Sequence, residues 1–181
     1  MIVTRATCIL VFAAGLGMSV AGSPLMAGVD GASDNGFQVT ETAHISASPD
    51  KVYGVLTAPA RWWASDHTFS HDARNLSLDP HAGGCWCETV PGGGSVQHMT
   101  VVYAMPGKVL RLRGALGPMQ GLGADGALTF SLAPASDGTD VVMTYALGGY
   151  AKGGFQSLAP VVDGVLGQQL AHLKQTVEND Q

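Results

Sequence analysis

Between Leu76 and Leu147 the chain is a series of short β-prone runs broken by glycine and proline turns, and after that stretch the apolar spacing changes from two to three and four. The runs are Leu76 to Asp79, Cys85 to Val90, Val96 to Ala104, Val109 to Ala115, Leu128 to Ala133 and Val141 to Leu147. Gly83-Gly84, Pro91-Gly92-Gly93-Gly94, Pro106-Gly107 and Asp137-Gly138 stand between them, as hairpin turns require. From Phe155 the apolar residues Leu158, Val162, Val165, Leu166, Leu170, Leu173 and Val177, with Gln169, fall at the helical period. This pattern predicts an α+β domain, an antiparallel sheet followed by one long amphipathic helix. Gly164 and Gly167 inside that helix each cost about 1 kcal/mol relative to alanine, so they mark close packing or room for a ligand.

Upstream, Phe37 to Ala47 alternates polar and apolar residues as a first strand. Ser48-Pro49-Asp50 then reads as a helix N-cap, a first-turn proline and an acid at the positive helix end, with Val52, Tyr53, Val55 and Leu56 as the apolar face. Residues 60–75, with Trp62, Trp63, His67, Phe69 and His71, lack a steady period and read as a helical turn and a loop. The small and acidic residues 28–36 read as a flexible lead-in, which places the domain at 37–181. Arg5 followed by an apolar run to Ala21 has the form of a secretion signal over 1–27, cut after Ala21 or after Ala27, and predicts a periplasmic or secreted protein. The alternative, an uncleaved anchor, suffers from Gly15, Gly17 and Gly22, which dilute a run already short for a membrane span, and no later segment is long enough for one.

A net charge of -5, with only 9 Lys and Arg thinly spread, argues against nucleic acid and acidic membranes as partners. Cys8 lies in the leader, so the domain retains Cys85 and Cys87, a pair that export would place in an oxidising space. Their spacing permits a disulfide within one strand, though a strained one.

Strand, short helices, antiparallel strands and a long last helix is the order of the helix-grip fold. Through Ser48-Pro49-Asp50-Lys51-Val52-Tyr53, the Trp62-Trp63 pair, Leu78-Asp79-Pro80 with Gly83-Gly84, and Pro106-Gly107-Lys108-Val109-Leu110, the chain resembles the SRPBCC (START-like) superfamily over about residues 38 to 178. The likeness is to its polyketide cyclase/dehydrase and lipid-transport branch and to homologues of heat-shock-protein ATPase activators. It implies a curved sheet wrapped around the last helix, an internal cavity and a small apolar or aromatic ligand. The stretch Cys85-Trp86-Cys87-Glu88 departs from the basic or aromatic residues many relatives carry there.

Taking Pro91 to Gly94 as a four-residue loop pairs Val90 with Ser95, Glu88 with Gln97, Cys87 with His98 and Trp86 with Met99. Trp86, Glu88, Gln97, Met99, Val101 and Tyr103 then share the cavity face, and Cys85, Cys87, Thr89, Val96, His98 and Thr100 the other. The candidate ligand-binding residues are Trp62, Trp63, Trp86, Glu88, Met99, Tyr103, Met119, Phe130, Tyr145, Phe155 and Leu166. The glycine-rich stretch Gly117 to Gly126 reads as a turn at the entrance, with Met119 and Leu122 as lid contacts.

Three functions follow as expectations: an exported carrier or sensor of an apolar ligand, a cyclase/dehydrase-like enzyme with Glu88 (its carboxyl raised by burial) and Tyr103 or Tyr145 moving protons, and a metal module on Cys85, Cys87 and His98 with His81 as a fourth ligand. Cys-x-Cys is a weak metal motif, His67 and His71 read as loop histidines, and no Ser-His-Asp pattern or phosphate loop is present. No motif calls for a cofactor.

Overall fold

A computed structural model describes residues 26–180. The leader as far as residue 25, including Cys8 and the cut after Ala21, lies outside the described residues. Eight strands form one antiparallel sheet: β1 Met26–Ser33, β2 Gly36–Ile45, β3 Leu76–Leu78, β4 Cys85–Val90, β5 Gly94–Met105, β6 Val109–Arg113, β7 Gly123–Ala135 and β8 Gly138–Tyr150. Their spatial order is β1-β2-β8-β7-β6-β5-β4-β3, so every neighbour is a neighbour in sequence except at β2-β8. Helix α1 (Pro49–Leu56) follows β2, and helix α2 (Ala159–Asn179) closes the chain; short 3-10 turns lie at Pro59–Arg61, Ser65–His67, Ala73–Asn75 and Gly117–Gly121. This is the helix-grip arrangement. No helix among the described residues is long and apolar enough to cross a membrane.

The local reasons are those of the sequence pattern. The Ser48 hydroxyl accepts from the Lys51 N–H to cap α1, Pro49 opens its first turn, and Val52, Tyr53, Val55 and Leu56 are buried. Inward residues alternate along the strands, with Val39 and Ile45 on β2, Leu128 and Phe130 on β7, and Val141, Met143 and Tyr145 on β8 all in the core. Leu166, Leu170, Leu173 and Val177 of α2 complete that core.

Two boundaries differ from expectation. Residues 28–36, read as a flexible lead-in, largely belong to β1, which pairs with β2 from Met26↔Thr42 to Ser33↔Gly36. Backbone hydrogen bonds to a free sheet edge need no large side chains, and the Asp30 carboxylate adds acceptors for Gln38 Nε2 (2.8 Å) and Thr40 Oγ1 (2.6 Å). At the other end α2 begins at Ala159 rather than at Phe155, whose ring is buried against Phe37 ahead of the helix.

Gly167 faces Glu41, the middle inward residue of β2: a β-carbon there would stand 3.3 Å from both carboxyl oxygens. Glu41 is 0% exposed, and neither oxygen has a donor among the described residues. Burial, and then the neighbouring Asp163 of α2, push its carboxyl up to about 7. At Gly164, by contrast, a β-carbon would meet nothing within 4 Å.

Gly164→Ala should therefore stabilise the protein by about 0.5–1 kcal/mol through helix propensity, whereas Gly167→Ala should gain less or lose, because the methyl presses on Glu41; denaturant titration of the two variants compares them. Because the Glu41 carboxyl is higher in the folded chain (about 7) than the ordinary 4.5 expected when unfolded, the folded state holds the extra proton between those values. Stability should fall as pH rises through that window, by roughly 1–3 kcal/mol, and level off above it. Glu41→Gln should flatten that segment of the curve, read by denaturant midpoints at a series of pH values.

Candidate functional site

A cavity of about 550 Å³ opens between the N-terminal half of α2, the 62–76 segment, β4 and β5, and the 3-10 turn at Gly117–Gly121. Its deep wall is Trp63, Leu76, Trp86 and His98; Leu116, Pro118 and Met119 close one side, and Leu158, Val161, Val162, Val165 and Leu166 the other. Asp66, His67, Phe69 and His71 stand around the mouth. That size falls in the range of small-molecule pockets, and the wall is apolar apart from His98, Thr68 and the rim.

Hydrogen bonds lock the aromatic wall. Trp62 Nε1 donates to the Leu56 carbonyl (3.2 Å) and Trp63 Nε1 to the His67 carbonyl (3.0 Å). Gln169 of α2, fully buried, accepts the Ala64 N–H at 2.8 Å and ties the helix to this segment. The rings then continue edge to face, Trp62 to Trp63 at 5.4 Å and Trp63 to Trp86 at 4.9 Å, with Trp86 leading to His98 at 6.1 Å.

The position of His98 comes from a hairpin that departs from the expected register. The turn is one residue shorter than the four-residue loop, because Gly92 (φ 86) and Gly93 (φ 83) adopt the left-handed conformation that glycine permits. Val90 therefore pairs with Gly94, Glu88 with Val96 and Cys87 with Gln97. A bulge at His98 then restores the expected pair Trp86↔Met99. His98 and Met99 are consequently both buried and Gln97 is exposed, so the predicted faces are corrected at His98, at Gln97 and at Val96, which stands opposite Glu88.

His98 Nε2 lies 2.9 Å from the Glu88 carboxylate, which also accepts the Phe69 N–H (3.1 Å) and the Ser70 N–H. Glu88 is 1% exposed and sits behind the histidine rather than on the cavity wall. Burial alone would raise its carboxyl, but the hydrogen bonds from Ser70, Phe69 and His98 outweigh it and hold the group below its ordinary value. The expectation of a raised, proton-donating Glu88 facing the ligand is thus corrected. The two amides come from a loop bent at His71, the one described non-glycine residue with positive φ (58°).

Of the other predicted residues, Trp63, Trp86, Met119 and Leu166 line the cavity. Trp62 and Phe130 pack on each other in the core at 6.4 Å, and Met99 is buried there too. Tyr145 is committed to the 114–116 segment: its hydroxyl accepts from the Leu116 N–H and donates to the Gly114 carbonyl, and burial pushes it up to about 12. Phe155 packs on Phe37, and Leu122 is half-buried away from the wall. Tyr103 is turned outward by a second bulge between Val101 and Tyr103, 40% exposed and under the Arg111 guanidinium. Neither tyrosine can serve as Glu88's partner in the cavity.

The metal constellation also comes apart. Cys85 and Cys87 form a disulfide, their Cα atoms 5.4 Å apart, on the face opposite Trp86 and Glu88, while His98 points inward and His81 pairs with Asp79 (2.6 Å). Sequence reasoning passed over His98 as a cavity residue, and with it Thr68, Phe69, Leu116 and the α2 valines; the valines at helical spacing were the available signal, whereas the bulge left none.

Residues 36–178 match the family model described as polyketide cyclase / dehydrase and lipid transport. Among solved structures, protein MLL2253 from Mesorhizobium loti is 20% identical, with 80% of this chain and 98% of that one covered at a TM-score of 0.57. CalU16 from Micromonospora echinospora is 15% identical over 88% of this chain and 87% of its own, at a TM-score of 0.59. The di-domain ARO/CYC StfQ from the steffimycin biosynthetic pathway is 13% identical over 81% of this chain and 52% of its own, at 0.56. At these identities the likeness is one of fold. A comparison with curated proteins found no match. The family match covers most of the chain, including α1, seven of the eight strands and nearly all of α2, and the chain belongs to the polyketide cyclase / dehydrase and lipid transport family.

Proposed function

We propose that this protein is exported and binds one small, planar, mainly apolar guest in the cavity beneath α2. The observation that carries the reading is the cavity itself: about 550 Å³, walled by two indole rings and aliphatic side chains, with a few polar atoms for orientation. Membership of a family whose description joins cyclases and lipid transport supports a hydrophobic guest. StfQ, an ARO/CYC protein of similar fold, favours an aromatic one. Export is supported by the leader-like first residues and by the Cys85–Cys87 disulfide, which suits an oxidising compartment. Because Met26 and Ala27 already belong to β1, a cut after Ala21 leaves the sheet whole, whereas one after Ala27 would trim it.

N-phenyl-1-naphthylamine, a neutral aromatic fluorophore, should bind the purified protein at one site with enhanced emission. Val165→Trp, which fills the cavity from α2, should weaken that binding by at least about tenfold (about 1.4 kcal/mol) while melting remains cooperative. Undiminished binding in the filled variant would remove the cavity from the account. Intact mass of the protein recovered from the exported fraction should correspond to a chain beginning at Gly22, with thiols unreactive until reduced; a retained leader or free thiols would overturn the export reading.

A further inference from the structure

The cavity wall carries a basic atom with no partner among the described residues. His98 is 6% exposed, lines the cavity, and spends Nε2 on Glu88; its Nδ1 has no hydrogen bond from any described residue. Glu88 is held ionised by the amides of Phe69 and Ser70 and so acts as an acceptor, which requires the proton of a neutral imidazole to sit on Nε2. The lone pair is then on Nδ1. The carboxylate stands on β4 and the imidazole on β5, and the two amides come to them from the loop at Phe69 and Ser70.

We propose that His98 is a general base whose Nδ1 removes a proton from a weakly acidic C–H or O–H group of a planar aromatic guest, with Glu88 as its positioning residue. This rests on the reading of the cavity as a guest site and goes beyond it by naming the chemistry. In the step, the Nδ1 lone pair takes the proton and the electrons of the broken bond stay on the guest, or pass through its π system to expel a leaving group. The imidazolium formed lies between the Glu88 carboxylate and the guest anion, so positive charge appears where a fixed negative charge already waits. No oxidant, metal or co-reactant enters the balance. The other ionisable residues of the cavity, Asp66, His67 and His71, are exposed at the mouth, and the Tyr145 hydroxyl is committed to backbone. His98 is thus the buried base available to a seated guest.

The test uses 5-nitrobenzisoxazole, which loses its ring C–H proton to a base as its N–O bond breaks, giving a coloured cyanophenolate. Unreactive 5-nitrobenzofuran, followed by quenching of tryptophan fluorescence, reports occupancy separately. The wild-type protein should turn over the benzisoxazole faster than free imidazole at equal concentration, and His98→Leu should lose about a hundredfold or more of that rate while binding nitrobenzofuran within about twofold (about 0.4 kcal/mol). Glu88→Gln should lower kcat at unchanged KM and unchanged nitrobenzofuran binding, a split that a merely structural defect would not give. Nitrobenzofuran bound without turnover, or His98→Leu as active as wild type, would overturn the general base and leave the guest site standing. Absence of nitrobenzofuran binding would remove both, and Glu88→Gln with wild-type kcat would remove the positioning role.

Discussion

A carboxylate taken out of water must find donors or surrender its charge, and the two buried glutamates of this fold solve that problem in opposite ways. Glu88 collects two amides and an imidazole and stays ionised. Glu41 has no donor among the described residues, faces Asp163 and keeps its proton up to about 7. The first solution requires the chain at Phe69 and Ser70 to come to β4 and requires His98 to turn inward. The cavity wall is built around these requirements. The second needs only space, which Gly167 leaves.

The cavity exists because α2 grips the sheet unevenly. Toward its C-terminal end Leu170, Leu173 and Val177 are fully in the core. Toward its start, Val161, Val162 and Val165 face the cavity instead, and the helix is held there from the side by Gln169 on the Ala64 amide. Short, stiff side chains at that end leave the gap unfilled, and the tryptophan rings opposite, each pinned through its indole or packed edge to face, do not collapse into it.

Element type was legible wherever the period was clean. The meander of strands, the Ser48 cap and the long last helix follow from alternation, turn residues and helical spacing. Errors came where a backbone decision depends on more than its own neighbours. β1 was missed because its residues are small and acidic, and what orders them is the open edge of β2. The Pro91 to Gly94 turn carries three glycines that allow more than one loop length, and one residue of difference moved Glu88 and Cys87 to new partners. Trp63, Trp86, Met119 and Leu166 were legible as cavity residues because they are large, apolar and on the right face. Tyr103 obeyed the same rule and failed, because the bulge after Val101 reversed its direction.

The bulge at His98 is where fold and chemistry meet. Without it, regular alternation from the Val90↔Gly94 pair would set His98 opposite Trp86 and turn Met99 outward beside Cys85. With it, one extra residue on β5 keeps Trp86 opposite Met99 and adds an inward imidazole between them and Glu88. The loop amides of Phe69 and Ser70 complete the carboxylate's shell, and Phe69 and His71 on the same loop line the mouth. Burial by itself would raise the Glu88 carboxyl, so these amides, with His98, are what hold it ionised. The charge behind His98 therefore depends on backbone hydrogen bonds from the same loop that borders the mouth.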